Sequence, residues 1–99
     1  MTNLIGPYNE YDKLILVCEV SGGKPRPLVT WWRESVLVDD SFKTNADGKV
    51  INELEIPSLS RYDLMAVYTC QSSNNNISIP VSSDVTIDLN CKSTFRLCL

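Results

Sequence analysis

The sequence predicts an all-β fold, a two-sheet antiparallel sandwich, on three observations. Apolar residues recur with a period of two along most of the chain, clusters of Gly, Pro, Asn, Asp and Ser interrupt that alternation about every ten residues, and no stretch carries a helical or heptad period. The 99 residues suit a single domain. With 43% hydrophobic, 21% charged and 8% aromatic residues, the composition is that of a globular chain rather than a disordered one.

Each element follows from its own residues. In Leu14-Ile15-Leu16-Val17-Cys18-Glu19-Val20 one face collects Leu14, Leu16, Cys18 and Val20, the pattern of a well-buried strand. Ser21 to Pro27 is turn chemistry that neither a helix nor a central strand accepts. Leu28 to Leu37 resumes as a strand, with Val29 and Trp31 inward and Thr30, Trp32 and Glu34 outward. Asp39 to Lys49 is polar, holds an Asp47-Gly48 turn pair, and leaves room for one short edge strand around Phe42. From Val50 to Ile56 the set Val50, Asn52, Leu54, Ile56 alternates with Ile51, Glu53, Glu55, and Pro57 ends the strand. Val67 to Ser72 forms another strand with Tyr68 and Cys70 inward, Ser73 to Asn76 turns, and Val85, Ile87 and Leu89 mark the inward face of the last strand. The expected core includes Leu16, Trp31, Leu54, Ile56 and Tyr68.

Composition excludes several function classes. A net charge of -3, with no run of like charge beyond Asp39-Asp40, argues against nucleic acid and anionic membranes as partners. The absence of histidine removes the commonest general base, the Ser-His and Cys-His nucleophile pairs and the commonest zinc ligand. No phosphate loop, activated nucleophile or buried carboxylate pair is present, so no enzyme, cofactor or small-molecule substrate is expected. Asp84 and Asp88 share an outward face, yet two carboxylates fall well short of a calcium shell, and no metal site is expected. The longest apolar run, Leu14 to Cys18, is far shorter than a membrane span, and Met1 to Pro7 lacks the cationic start of a signal peptide.

The four cysteines divide into two kinds. Cys18 and Cys70 lie in strand-like runs, whereas Cys91 and Cys98 lie in a tail without strand or helix period. Cys18, Trp31 and the Tyr68-Thr69-Cys70 triplet are spaced as in the immunoglobulin fold, which they resemble. That resemblance implies a disulfide between Cys18 and Cys70 joining two facing sheets, Trp31 packed on the bridge, and the Tyr68 hydroxyl returning to backbone at the corner before its strand. Two unrelated buried thiols are the alternative; zinc lacks both a Cys-x-x-Cys pair and a histidine. The interval from Cys18 to Cys70 is too short for the extra hairpin of variable domains, and the Gly23 to Trp31 and Leu54 to Leu59 segments resemble the intermediate or constant-2 type. Asp63 stands one residue further from Cys70 than the family's corner motif places it, which puts its usual hydrogen bond in question.

A narrower resemblance covers nearly the whole domain. Gly6-Pro7-Tyr8-Asn9-Glu10, the double tryptophan of Val29-Thr30-Trp31-Trp32-Arg33, Asn52-Glu53-Leu54, Tyr62-Asp63-Leu64-Met65-Ala66 and Gln71-Ser72-Ser73-Asn74-Asn75-Asn76 together resemble an interior immunoglobulin domain of the sidestep family. Sidestep proteins are arthropod single-pass cell-surface guidance receptors that bind beaten-path family proteins. The resemblance implies an extracellular adhesion and axon-guidance role, with beaten-path proteins as partners; a secreted immune-type immunoglobulin is the alternative. A disulfide requires an oxidising compartment, so the chain is expected to be a piece of a larger secreted or membrane protein. Residues 1–5 are expected as a stub, 6–90 as the immunoglobulin-like domain, and 91–99 as an atypical tail with two free thiols.

Strand alternation nominates a surface. If Trp31 points inward, Trp32 points outward, beside Glu34, Thr69, Gln71 and Thr86, an arrangement that suits an interface anchor. The rival reading is that Trp32 merely covers the sheet. Asn76-Ile77-Ser78 is the single glycosylation sequon, with Asn76 in an expected turn.

Overall fold

The computed structural model describes residues 3–21, 26–73 and 81–90. Along the chain these form β1 (Asn3–Tyr8), β2 (Leu14–Ser21), β3 (Leu28–Arg33), β4 (Val36–Asp39), β5 (Lys43–Thr44) and β6 (Lys49–Ile56). A one-turn 3-10 helix (Arg61–Asp63), β7 (Val67–Ser73) and β8 (Val81–Leu89) follow. A five-stranded sheet in the order β1-β8-β7-β3-β4 packs on a three-stranded sheet in the order β2-β6-β5. The expected all-β sandwich is thus the fold, with one parallel pairing, β1 with β8, in an otherwise antiparallel arrangement.

The inward faces meet as the alternation requires. Leu14 and Leu16 of β2 and Val50 and Leu54 of β6 face Val29 and Trp31 of β3, Tyr68 and Cys70 of β7, and Ile87 and Leu89 of β8, while Ile56 packs partly buried against this cluster. Each fully buried side chain of this kind contributes about 1.5–3 kcal/mol. Cys18 and Cys70 are disulfide-bonded with their Cα atoms 6.4 Å apart, joining β2 to β7 across the two sheets. The indole Nε1 of Trp31 donates to the backbone oxygen of Asn52 at 2.9 Å. Asn52, fully buried, returns the link: its Nδ2 donates to the oxygen of Val29 at 2.9 Å and to that of Asp39 at 3.3 Å. One polar residue of the small sheet therefore holds two strands of the large one.

Three expectations are corrected. Leu28 to Leu37 is not one strand: β3 ends at Arg33, Glu34 and Ser35 turn with φ of 53° and 105°, and β4 returns antiparallel with Val36 opposite Arg33. A two-residue hairpin that turns in this way has positive φ at both loop positions, normally supplied by Asn-Gly, and Glu-Ser carries no such signal. The short edge strand expected around Phe42 is β5, Lys43–Thr44, at the edge of the small sheet, and Phe42 itself packs partly buried against the core.

Asn3–Ile5 are not a stub, since they pair with Val85–Ile87 of β8. Gly6 makes this pairing possible. At φ +111° a Cβ there would stand 2.6 Å from the Asp88 backbone oxygen, a contact that only glycine avoids.

The Tyr68 hydroxyl meets side chains at the corner: it accepts from Arg33 Nη1 at 2.6 Å and donates to Asp63 Oδ1 at 3.4 Å. The extra corner residue is absorbed by Met65, whose φ is +61° and whose side chain is exposed. Its N–H donates to the Ile87 oxygen at 2.6 Å, and Ala66 and Ile87 continue the bonding by donating to Asp63 and Ala66. Asp63 accordingly keeps its inward position, with Oδ2 accepting from the Ser60 N–H at 3.0 Å in the manner of a helix cap.

Candidate recognition face

The outer face of the large sheet carries the residues that alternation nominated. Register sets Leu37 of β4, Trp32 of β3, Thr69 of β7 and Asp84 of β8 in one cross-strand row. Trp32 is half-buried, and its orientation is fixed: indole Nε1 donates to Thr30 Oγ1 at 2.9 Å, and that hydroxyl donates to the Gln71 backbone oxygen at 3.4 Å. Glu34 is tied to the start of β7 from both of its ends. Its N–H donates to the Val67 oxygen at 3.1 Å, and its Oε1 accepts from the Val67 N–H at 3.0 Å.

Together Trp32, Glu34, Val67, Thr69, Gln71 and Ser82 line an open, shallow hollow of about 350 Å³. It presents an indole, two hydroxyls, a primary amide and a carboxylate, groups that recognise a surface by contact and hydrogen bonding. Trp32, Glu34, Thr69 and Gln71 are brought together here. Thr86 is not available beside them: it is only 5% exposed, because β8 runs between β7 and β1 and sets it between Val67 and Leu4 on that face. Asn76 and residues 91–99 lie outside the described residues. Among the described residues, no group of three or more Cys, Asp or Glu side chains converges as a metal site.

Beneath this face lies a cluster that sequence reasoning missed. Arg33 shares the inward side of β3 with Val29 and Trp31, and its guanidinium reaches Asp63 Oδ1 at 2.7 Å, the Tyr68 hydroxyl at 2.6 Å and the Tyr62 backbone oxygen at 2.8 Å. The group also sits over the Tyr62 ring at 4.3 Å and near the Tyr68 ring at 5.3 Å, within the range of cation–π attraction. Burial is the largest influence on Arg33 and opposes its charge, but the hydrogen bonds and charges of Tyr68 and Asp63 outweigh it, so its pKa rises. Burial likewise pushes the Tyr68 hydroxyl up, against the pull of Arg33 in the other direction. The available signal was positional. An arginine in step with inward Val29 and Trp31 demands a carboxylate, and Asp63 was already singled out.

The comparisons with known proteins agree with this architecture. Residues 3–74 match the family described as immunoglobulin domain. The chain is 34% identical over 80 residues to Fc receptor-like protein 2 of Homo sapiens, covering 81% of this chain and 15% of that protein. It is 33% identical over 81 residues to MAM domain-containing glycosylphosphatidylinositol anchor protein 2 of Homo sapiens, covering 80% of this chain and 8% of that protein. The chain therefore spans only a small part of the length of these relatives. Among solved structures, a chimeric titin Z1Z2 carrying an exogenous decorin peptide aligns with a TM-score of 0.65 at 18% identity, over 88% of this chain and 87% of that one. Titin M4 aligns with a TM-score of 0.64 at 18% identity, over 91% of both chains. At such identity these two likenesses concern the fold alone.

Proposed function

Because the chain belongs to the immunoglobulin domain family, we propose that it is a protein–protein recognition module whose contact surface is the outer face of the large sheet, anchored by Trp32. The observation that carries this reading is the fixed, half-buried indole at the wall of a hollow rimmed by Thr69, Gln71 and Ser82. A tryptophan held in one orientation gives up little rotamer freedom on binding, and such residues dominate interface energetics.

The finer reading is an extracellular domain of a sidestep-like adhesion and guidance receptor, with beaten-path family proteins as partners. The double tryptophan, the Gly6 to Glu10 segment and the Tyr62 to Ala66 corner support it by resemblance. A cell-surface setting draws support from the Cys18–Cys70 disulfide, which needs an oxidising compartment, and from the membrane anchor in one relative's name. No helix among the described residues is long and apolar enough to cross a membrane.

Surface-binding measurements against beaten-path proteins test both levels. With the chain in its natural polypeptide, Trp32→Ala and Thr69→Arg are expected to weaken binding tenfold or more while far-ultraviolet dichroism stays unchanged. Wild-type affinity in both folded variants would leave the domain a spacer. Likeness to Fc receptor-like protein 2 favours a second reading, an immune-type binding protein. Loss of beaten-path binding altogether, with retained affinity for an immune ligand, selects that reading.

A further inference from the structure

Strand β4 forms the outer edge of the large sheet, with β3 on one side and, among the described residues, no strand on the other. Native edges are usually blunted by lysine, proline or a covering segment, because unpaired backbone groups template another strand. β4 carries neither residue. Its Val36, Leu37 and Val38 are 65%, 45% and 42% exposed, three consecutive aliphatic side chains in contact with water.

Carboxylates bound this apolar edge at both ends, Glu34 in the turn before it and Asp39 and Asp40 after it. Glu34 accepts from the Val67 N–H, and Asp39 accepts from the N–H and hydroxyl of Ser41. None of the three forms an ion pair with a lysine or arginine among the described residues. The small sheet behaves otherwise: its exposed Glu19, Glu53 and Glu55 pair with Lys49, Lys43 and Lys13.

We infer that β4 is a strand-addition site for an extended segment of another protein, with aliphatic side chains at alternate positions and lysine or arginine at its ends. Backbone hydrogen bonds to the open edge would supply affinity and the flanking carboxylates would choose the partner. Charge decides against a second copy. Antiparallel pairing of two β4 strands about Leu37 brings the Asp39-Asp40 end of each to the Glu34-bearing turn of the other, so charges of one sign gather at both ends of the pair, which destabilises it. A basic-ended segment turns the same geometry into attraction. The site differs from the Trp32 hollow in using an edge rather than a face, although Leu37 borders both.

Two synthetic heptapeptides of alternating valine and threonine, one ended in lysines and one in glutamates, test the inference when titrated into the full chain under nitrogen–proton NMR. The lysine-ended peptide is expected to shift and protect the amides of 36–39. Asp40→Asn and Glu34→Gln should each weaken it about threefold, as for exposed ion pairs, Val38→Lys should abolish it, and Thr69→Arg should leave it unchanged. Equal binding of the glutamate-ended peptide, shifts confined to Thr69, Gln71 and Ser82, or a β4-mediated dimer in sedimentation would overturn it. Asp40 is an exposed position, so its variant decides the matter even where Val38→Lys fails to fold.

Discussion

The guanidinium of Arg33 donates to the carboxylate of Asp63 at 2.7 Å, with only 16% and 9% of the two side chains exposed. The contact ties β3 to the one-turn helix that closes the corner ahead of β7. Removing either partner strands the other charge in a poorly hydrated place. Arg33→Ala and Asp63→Ala are each expected to cost about 3 kcal/mol in urea unfolding. The double variant should cost clearly less than the two together, because the shared penalty is then counted once. Additive costs would show that the pair is not coupled.

The same cluster predicts an alkaline limit to stability. Burial holds the Tyr68 hydroxyl above the usual tyrosine value of about 10. The folded chain keeps this proton where the unfolded chain has begun to lose it, so the contribution is complete below about pH 10 and is lost as pH rises through the raised value. Stability measured from pH 8 to 12 should fall in that upper window, and the fall should flatten in Tyr68→Phe. An identical slope in both proteins would assign the loss to other groups.

Three backbone positions give opposed outcomes on substitution by, or of, glycine. Ser35 and Met65 hold φ of 105° and 61° without being glycine. Ser35→Gly and Met65→Gly should relieve more conformational cost than they add to the unfolded chain, each raising stability by about 0.5 kcal/mol. Gly6→Ala should do the reverse by about 2 kcal/mol, since its Cβ has no room against β8. Thermal unfolding of the three variants checks the signs directly.

The bridge between Cys18 and Cys70 closes an interval of 52 positions. Chain entropy alone assigns such a loop about 4 kcal/mol of stabilisation, a large share of the total for so small a domain. The Cys18→Ala, Cys70→Ala protein should therefore be largely unfolded at 37 °C, seen as the loss of the near-ultraviolet signal of Trp31. In the native protein, mass spectrometry should find neither thiol open to alkylation without reductant.

The parts of the fold that alternation governs were legible in the residues. Leu14, Leu16, Trp31, Val50, Leu54, Tyr68 and Ile87 all face the core, because a period of two in a half-buried strand leaves each of them one choice. Thr86 lies on the side the rule assigns, but its burial was hidden: the rule does not give the neighbours, and Leu4 lies too far off in sequence to reveal its parallel approach to β8. The β3–β4 hairpin was hidden because Glu34 and Ser35 take a turn conformation that their side chains do not advertise. Of the recognition face, Trp32, Glu34, Thr69 and Gln71 were reachable from spacing, whereas Val67 and Leu37 entered only with the register. The Arg33 cluster depends on contacts across about thirty residues of sequence, which no local pattern contains.

The parallel run of β1 beside β8 has a mechanical consequence. Asn3 lies against Val85 and Tyr8 against Leu89, so the chain enters midway along the last strand and leaves at its far end. Tension applied through the two ends would drag these neighbouring strands past one another along their length, loading their hydrogen bonds together in shear rather than one after another. Gly6, by letting the two backbones lie so close, keeps the pairs on either side of it, Asn3–Ile5 and Tyr8, on the same neighbouring strand, so that they would share that load.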